Sequence, residues 1–152
     1  MVSSKLTKLI LIIGFILVFA LSFSTVSAAF QVDLYFNIPE TVYEINETIS
    51  LKGTLFRANI TNGTLATNLT AVNNENVTMS IFNSSNTLMS TANLTTNTNG
   101  QFFSNSSYLP NATTITAPSA PGTYTIKAVY TDPDNSTWNA SVGILVINQT
   151  VD

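Results

Sequence analysis

Twelve asparagines in the 152-residue chain stand two residues before a serine or threonine with no proline between: Asn46, Asn59, Asn62, Asn68, Asn76, Asn83, Asn93, Asn105, Asn111, Asn135, Asn139 and Asn148. In that setting the side-chain amide nitrogen is the acceptor for N-linked saccharide, so the chemistry is done to the protein rather than by it. Twelve of 18 asparagines lie in such a sequon, where the Ser and Thr content alone would give about five. Only Asn46 has an acid two positions earlier, Glu44. Broad use of the set therefore implies a transfer system that reads the bare sequon, of the archaeal or eukaryotic export kind. The expected partners are N-linked glycans; the competing reading is a polar Thr/Asn sheet surface carrying no sugar.

Chemistry performed by the protein is harder to find. The chain has no cysteine and no histidine, which removes disulfides, thiolate nucleophiles, imidazole bases and the usual zinc sites. A glycosidase-type carboxylate pair needs a cleft, and nothing in the pattern marks one. Lys52 and Lys127 fall on expected outer strand faces, and a Ser or Thr near them is unavoidable in this composition, so no nucleophile dyad is read there. No catalytic residue and no cofactor is expected, and the chain is not read as an enzyme. The one ligand-like cluster is Asp132, Asp134 and Asn135 around Pro133, whose oxygens suit calcium. The same residues make a self-sufficient hairpin turn, with Pro fixing φ and Asp/Asn bonding their own main chain. The turn is the leading reading, calcium the weak one, and no other metal is expected.

Residues 1–28 read as an export signal: Lys5 and Lys8, an apolar run from Leu9 to Phe23, then small residues ending Val26-Ser27-Ala28. At 1.5 Å per residue that run reaches about 22 Å, short of the hydrocarbon layer of ~30 Å. Cleavage after Ala28 is expected, with an uncleaved anchor as the alternative. Either way residues 29–152 lie at the cell surface or outside the cell, and a membrane is touched only through the N-terminal segment. Beyond it, Lys52, Arg57 and Lys127 face eight acids, a balance with no basic surface for nucleic acid.

The acceptors must be held by strands. From residue 30 onward no long 3.6-residue period occurs; short alternating runs separated by turn clusters predict an all-β sandwich. Strands are expected at 31–38, 47–57, 75–83, 87–95, 100–108, 122–131 and 137–148, with a possible short one at 41–44. The stretch 58–74 is expected to be a long loop. Parity places Tyr124, Ile126, Ala128 and Tyr130 on a buried face, with Thr123, Thr125, Lys127 and Thr131 opposite. It likewise sends Asn76, Asn93 and Asn139 outward. The expected aromatic core is Tyr35 or Phe36, Tyr43, Phe56, Phe82, Phe102 or Phe103, Tyr108, Tyr124, Tyr130 and Trp138.

Four phrases in this order, Tyr43 to Gly53, Asn76 to Ile81, Asn99-Gly100-Gln101-Phe102 and Pro121 to Tyr130, resemble an immunoglobulin-like domain of prokaryotic, archaeal-type cell-surface proteins, similar also to macroglobulin-type repeats. The resemblance spans residues 31–149. It implies a single immunoglobulin-like β-sandwich of seven to eight strands behind an N-terminal hydrophobic signal helix, and a role in adhesion, spacing or assembly. The expected function is an exported, heavily N-glycosylated structural or adhesive protein; the alternative is a carbohydrate- or protein-binding module of the cell envelope. Further partners would be copies of itself or other envelope proteins, met through sheet edges. Gln31 to Ile38 is expected to pair within its own domain, with strand exchange as the other route. Leu145 and Ile147 stand on the face expected to be wet.

Overall fold

The computed structural model describes residues 29–61, 64–65, 69–104 and 113–148. Residues 1–28, expected to be an export signal, the candidate acceptors Asn62, Asn68, Asn105 and Asn111, and Tyr108 lie outside the described residues. The strands in chain order are β1 (Ala29–Asn37), β2 (Val42–Glu44), β3 (Thr48–Ile49), β4 (Lys52–Thr61), β5 (Thr64–Leu65), β6 (Thr70–Ala71), β7 (Asn76–Asn83), β8 (Leu88–Thr95), β9 (Gln101–Phe103), β10 (Ile115–Thr116), β11 (Gly122–Thr131) and β12 (Thr137–Ile147). One sheet has β4 at its centre, with β1 along one edge and β9, β6 and β5 in succession along the other. The second sheet runs β2-β12-β11-β7-β8, and β3 with β10 forms a short two-stranded bridge. All pairs are antiparallel except β2 with β12. This is an all-β immunoglobulin-like sandwich: β1, β4 and β9 occupy the A, B and E places, and β7, β11 and β12 the C, F and G places.

Two sheets each bury the alternate residues of their strands, and the core is what that parity predicts. Tyr124, Ile126, Ala128 and Tyr130 are buried with Val77, Met79, Ile81, Leu94, Ile144 and Val146 from the second sheet. Val32, Phe36, Leu55 and Phe102 meet them from the first. Of the alternatives, Phe36 is buried and Tyr35 exposed, while both Phe102 and Phe103 are buried. Phe56, Phe82 and Trp138 are only half-buried. The Tyr124 hydroxyl, at the start of β11, donates to the Ala120 carbonyl at 2.8 Å. That is the tyrosine corner of this fold, fixing how the chain enters the F strand.

Three strand boundaries differ from expectation, the first two for a backbone reason. The run 47–57 divides at Ser50 and Leu51, because β3 pairs with β10 whereas β4 pairs with β1. Fully buried Ser104 bridges the gap. Its Oγ accepts from the Leu51 amide at 2.9 Å and donates to the Ile49 carbonyl at 2.6 Å, replacing ladder bonds lost at the break. The expected loop 58–74 instead continues β4 to Thr61, with β5 and β6 folding back on it. Main-chain pairing needs no alternation of side chains, so the pattern hid these pieces. Finally, β9 ends at Phe103, and 105–108 lie outside the described residues.

Gly53 shows how tightly the sheets close. It stands directly opposite Phe102 on β9, and a Cβ placed there would land on the Phe102 ring. Glycine inside a strand is a cost unless another group needs the space, and here the fully buried ring fills it. Gly53→Ala is expected to destabilise the protein by about 1–3 kcal/mol through overpacking, read as a lower urea midpoint with an unchanged slope. A midpoint equal to that of the unaltered protein would show that the ring moves freely.

Candidate functional site: the acceptor-bearing surface

Among the described acceptors, Asn46, Asn76, Asn93, Asn135, Asn139 and Asn148 are exposed, and Asn83 is half-buried. Asn59 is in β4. Their local settings fall into two groups. Asn46 and Asn135 sit in turns with φ of 60° and 67°, a left-handed conformation that Asn tolerates because its short amide bonds locally. Asn76, Asn93 and Asn139 lie within strands, on the outer face of the second sheet.

On that face the register brings acceptors together. Asn76 is opposite Thr95, and Thr78 is opposite Asn93; Thr78 is also opposite Val129, which is opposite Asn139. Asn93, Thr78, Val129 and Asn139 therefore form one row across four strands. Thr95 Oγ1 donates to Asn76 Oδ1 at 3.2 Å, and Thr78 Oγ1 donates to Asn93 Oδ1 at 3.0 Å. At the end of β7, Asn83 Oδ1 accepts the amides of Ser85 and Thr87, at 3.0 and 2.9 Å, closing the β7-β8 hairpin. In each case the carbonyl oxygen is used, and N-linked transfer leaves that oxygen untouched. The other end of the same face is apolar: Leu88 opposite Phe82, and Leu145 opposite Val42. Leu145 and Val42 are exposed while Ile147 is half-buried.

In the Asp132 to Asn135 cluster, polar atoms are engaged by an ion pair and by the turn itself. The Asp132 carboxylate turns inward and accepts from Arg57 Nη2 at 2.6 Å, while the same nitrogen donates to the Tyr130 hydroxyl at 3.1 Å. Asp134 Oδ1 accepts the Ser136 amide at 2.9 Å, and the Asn135 amide donates to the Asp132 carbonyl at 2.8 Å, as a turn requires. Among the described residues no group of three or more potential metal ligands occurs. Arg57, on the inward side of β4, thus ties the first sheet to the F-G hairpin of the second. Nothing in the alternation of β4 signalled this, because an arginine facing inward contradicts the pattern until its partner is known.

Burial pushes the Tyr130 hydroxyl above its ordinary value of 10.0, Asp132 adds to this, and Arg57 opposes it. Burial, followed by Glu40, raises Tyr43 in the same way. Both folded-state affinities for the proton exceed the unfolded ones, so this contribution to stability is complete below about pH 10 and lost as pH rises through the folded values. The urea midpoint is expected to be insensitive to these two groups between pH 7 and 9, about the range below tyrosine titration, and to fall above pH 10. A midpoint that holds through pH 11 would remove the argument.

The outer face of the first sheet carries a groove of about 340 Å³ lined by Tyr35, Asn37, Pro39, Lys52 and Thr54, with Ser50, Leu51 and Gly53. Tyr35 is 59% exposed, and Lys52 Nζ lies 5.9 Å from the centre of the Phe103 ring. Among the described residues no helix is long and apolar enough to cross a membrane.

No family model matches the chain, and no curated protein does. Solved structures do resemble it. One is described as a tetra-tandem repeat in the extending region of a large adhesion protein; it is 15% identical, with a TM-score of 0.51 over 78% of this chain. The chain spans about a quarter of that structure, 25%. Another is the CARDB domain of a Pyrococcus furiosus protein in complex with di-metal ions, 12% identical, with a TM-score of 0.39 over 82% of this chain and 100% of that one. At such identity the likeness to the adhesion-protein repeat establishes the fold alone, an all-β sandwich.

Proposed function

We propose that the chain is an exported, N-glycosylated structural or adhesive domain of the cell surface, without catalytic activity. The observation that carries this reading is the placement of the acceptors: Asn46, Asn76, Asn93, Asn135, Asn139 and Asn148 all present exposed side chains. None is needed by the core. Dense sugar also suits a domain whose charged residues are only 9% of the chain, since hydrophilic glycans supply the solvation that charge otherwise provides and cover sheet edges. Cleavage after Ala28 belongs to the same proposal, as do contacts with neighbouring envelope proteins along the edge strand β8, which carries no charged residue. Mass spectrometry of the protein from its own cells tests this. Several occupied sequons and an N-terminus near Ala29 are expected, whereas the mass of the bare 152-residue chain would refute it.

One observation favours a second reading, a carbohydrate-binding module. The exposed Tyr35 ring beside Asn37, Lys52 and Thr54 offers an apolar face flanked by polar groups, the usual form of a small-ligand site. Titration with oligosaccharides, monitored in the protein and in Tyr35→Ala, separates the two.

A further inference from the structure

We propose that Asn76 and Asn93 form one folding-gated modification site: each accepts saccharide only before β7 and β8 pair, and the finished hairpin then closes both while retaining the sugars. This rests on the N-glycan reading above and adds an order of events to it.

The geometry supplies the gate. The segments Asn76-Val77-Thr78 and Asn93-Leu94-Thr95 lie antiparallel and in register, so each asparagine faces the other's threonine. The two hydroxyl bonds, Thr95 to Asn76 at 3.2 Å and Thr78 to Asn93 at 3.0 Å, engage the very groups that define a sequon. In addition β7 is hydrogen-bonded to β8 on one side and to β11 on the other, so the strand of Asn76 has no free edge for an enzyme to grasp, while Asn93, on the edge strand β8, is held along one side by the hairpin ladder. The turn acceptors are different. Asn46 and Asn135 are exposed at positive φ outside the ladders, with only their threonines, Thr48 and Thr137, at strand ends, and folding leaves the asparagines themselves open to a transferase.

The chemistry then allows the hairpin to close over the product. The amide Nδ2 bonds to the anomeric carbon of a saccharide carried on a lipid phosphate. The anomeric C–O bond breaks, the lipid phosphate leaves with that electron pair, and Nδ2 gives up one proton. Oδ1 is not consumed, so both threonine bonds form afterwards as they stand. Val77 and Leu94, opposite each other between the two acceptors, are buried on the inner side, which holds both saccharides outward. As diagonal cross-strand neighbours the two attachment points are about 7–8 Å apart, giving one doubly substituted patch.

The test uses the mature chain produced without glycosylation, folded, and then supplied with an oligosaccharyl transferase and a lipid-linked saccharide. Occupancy is mapped by mass spectrometry of glycopeptides. Modification at Asn76 and Asn93 is expected to be at least about tenfold slower than at Asn46 and Asn135, because a packed hairpin must first open. In Ile126→Asp, which is expected to abolish the fold because Ile126 is fully buried, all four should react at similar rates. Equal rates at the four sites in the folded protein would overturn the proposal. A second measurement needs no unglycosylated protein: limiting the transferase in the producing cells should deplete Asn76 and Asn93 first, since their time for modification ends with folding. Uniform depletion of the four sites would overturn the gate while leaving the N-glycan reading intact, whereas a protein bare at every sequon would refute both.

Discussion

Ile126→Asp is expected to leave the chain unfolded, while Thr125→Asp, one residue earlier, costs at most about 1 kcal/mol, the span of strand propensity. The two positions differ by one step of the pleat. Ile126 is 0% exposed in the middle of β11, between Ile81 of β7 and Val142 of β12; Thr125 faces water. Two residues after the corner tyrosine, Ile126 stands where disulfide-bearing sandwiches of this type place the second cysteine. In a chain without cysteine, apolar packing alone joins the sheets at that point. A carboxylate there loses the isoleucine contacts, about 2–5 kcal/mol by comparison with large-to-small core changes, and must be desolvated without a partner. The sum approaches the whole stability of a small domain, about 5–15 kcal/mol. Circular dichroism and urea unfolding of the two variants check this, and equal losses would show the face assignment to be wrong.

The next largest effect is expected at Arg57. Arg57→Ala should cost about 3 kcal/mol, the low end for breaking a buried pair, because it leaves the Asp132 carboxylate, 9% exposed, without its cation. Arg57 itself is 29% exposed, so solvent already screens part of the interaction, and the figure is discounted accordingly. Combining Arg57→Met with Asp132→Asn should recover much of the loss, since removing both charges removes the desolvation problem. Urea midpoints of the single and double variants decide the matter. A single variant within about 0.5 kcal/mol of the unaltered protein, the range of ordinary surface changes, would mean that the ion pair does not tie the sheets together.

Much of this architecture is legible in the amino-acid order, where one face of a strand is apolar and the other is not. β7, β11 and β12 alternate, and their outward residues are where parity places them. What stays hidden depends on partners distant in sequence. Ser104 repairs a strand break 53 residues earlier at Leu51, and Arg57 finds Asp132 75 residues later. Neither residue has a local signature, because a polar side chain facing inward looks like an error until its partner is placed. The pairing of the Asn76 and Asn93 sequons is hidden in the same way. Each motif is plain in the sequence, but their mutual facing depends on a hairpin register that includes an irregularity between Ile81 and Phe82. Tyr124 was recognisable as a core aromatic; its corner bond to Ala120 depends on how the preceding turn folds.

The parallel contact of β2 with β12 has a mechanical meaning. Its strands are joined by the pairs Val42 with Leu145, Tyr43 with Val146 and Glu44 with Ile147, and by bonds from the Leu145 amide to Thr41 and from the Ile45 amide to Ile147. Tension applied through the two ends of the domain first loads β1 through its ladder with β4, and once β1 has come away it reaches β2 at its leading end and β12 at its trailing end. Parallel strands pulled from opposite ends slide past each other, so their bonds share the load together, whereas an antiparallel hairpin pulled at its open end releases them one by one. Such a patch resists in shear, and the lifetime of the domain under load follows its unfolding rate rather than its equilibrium stability.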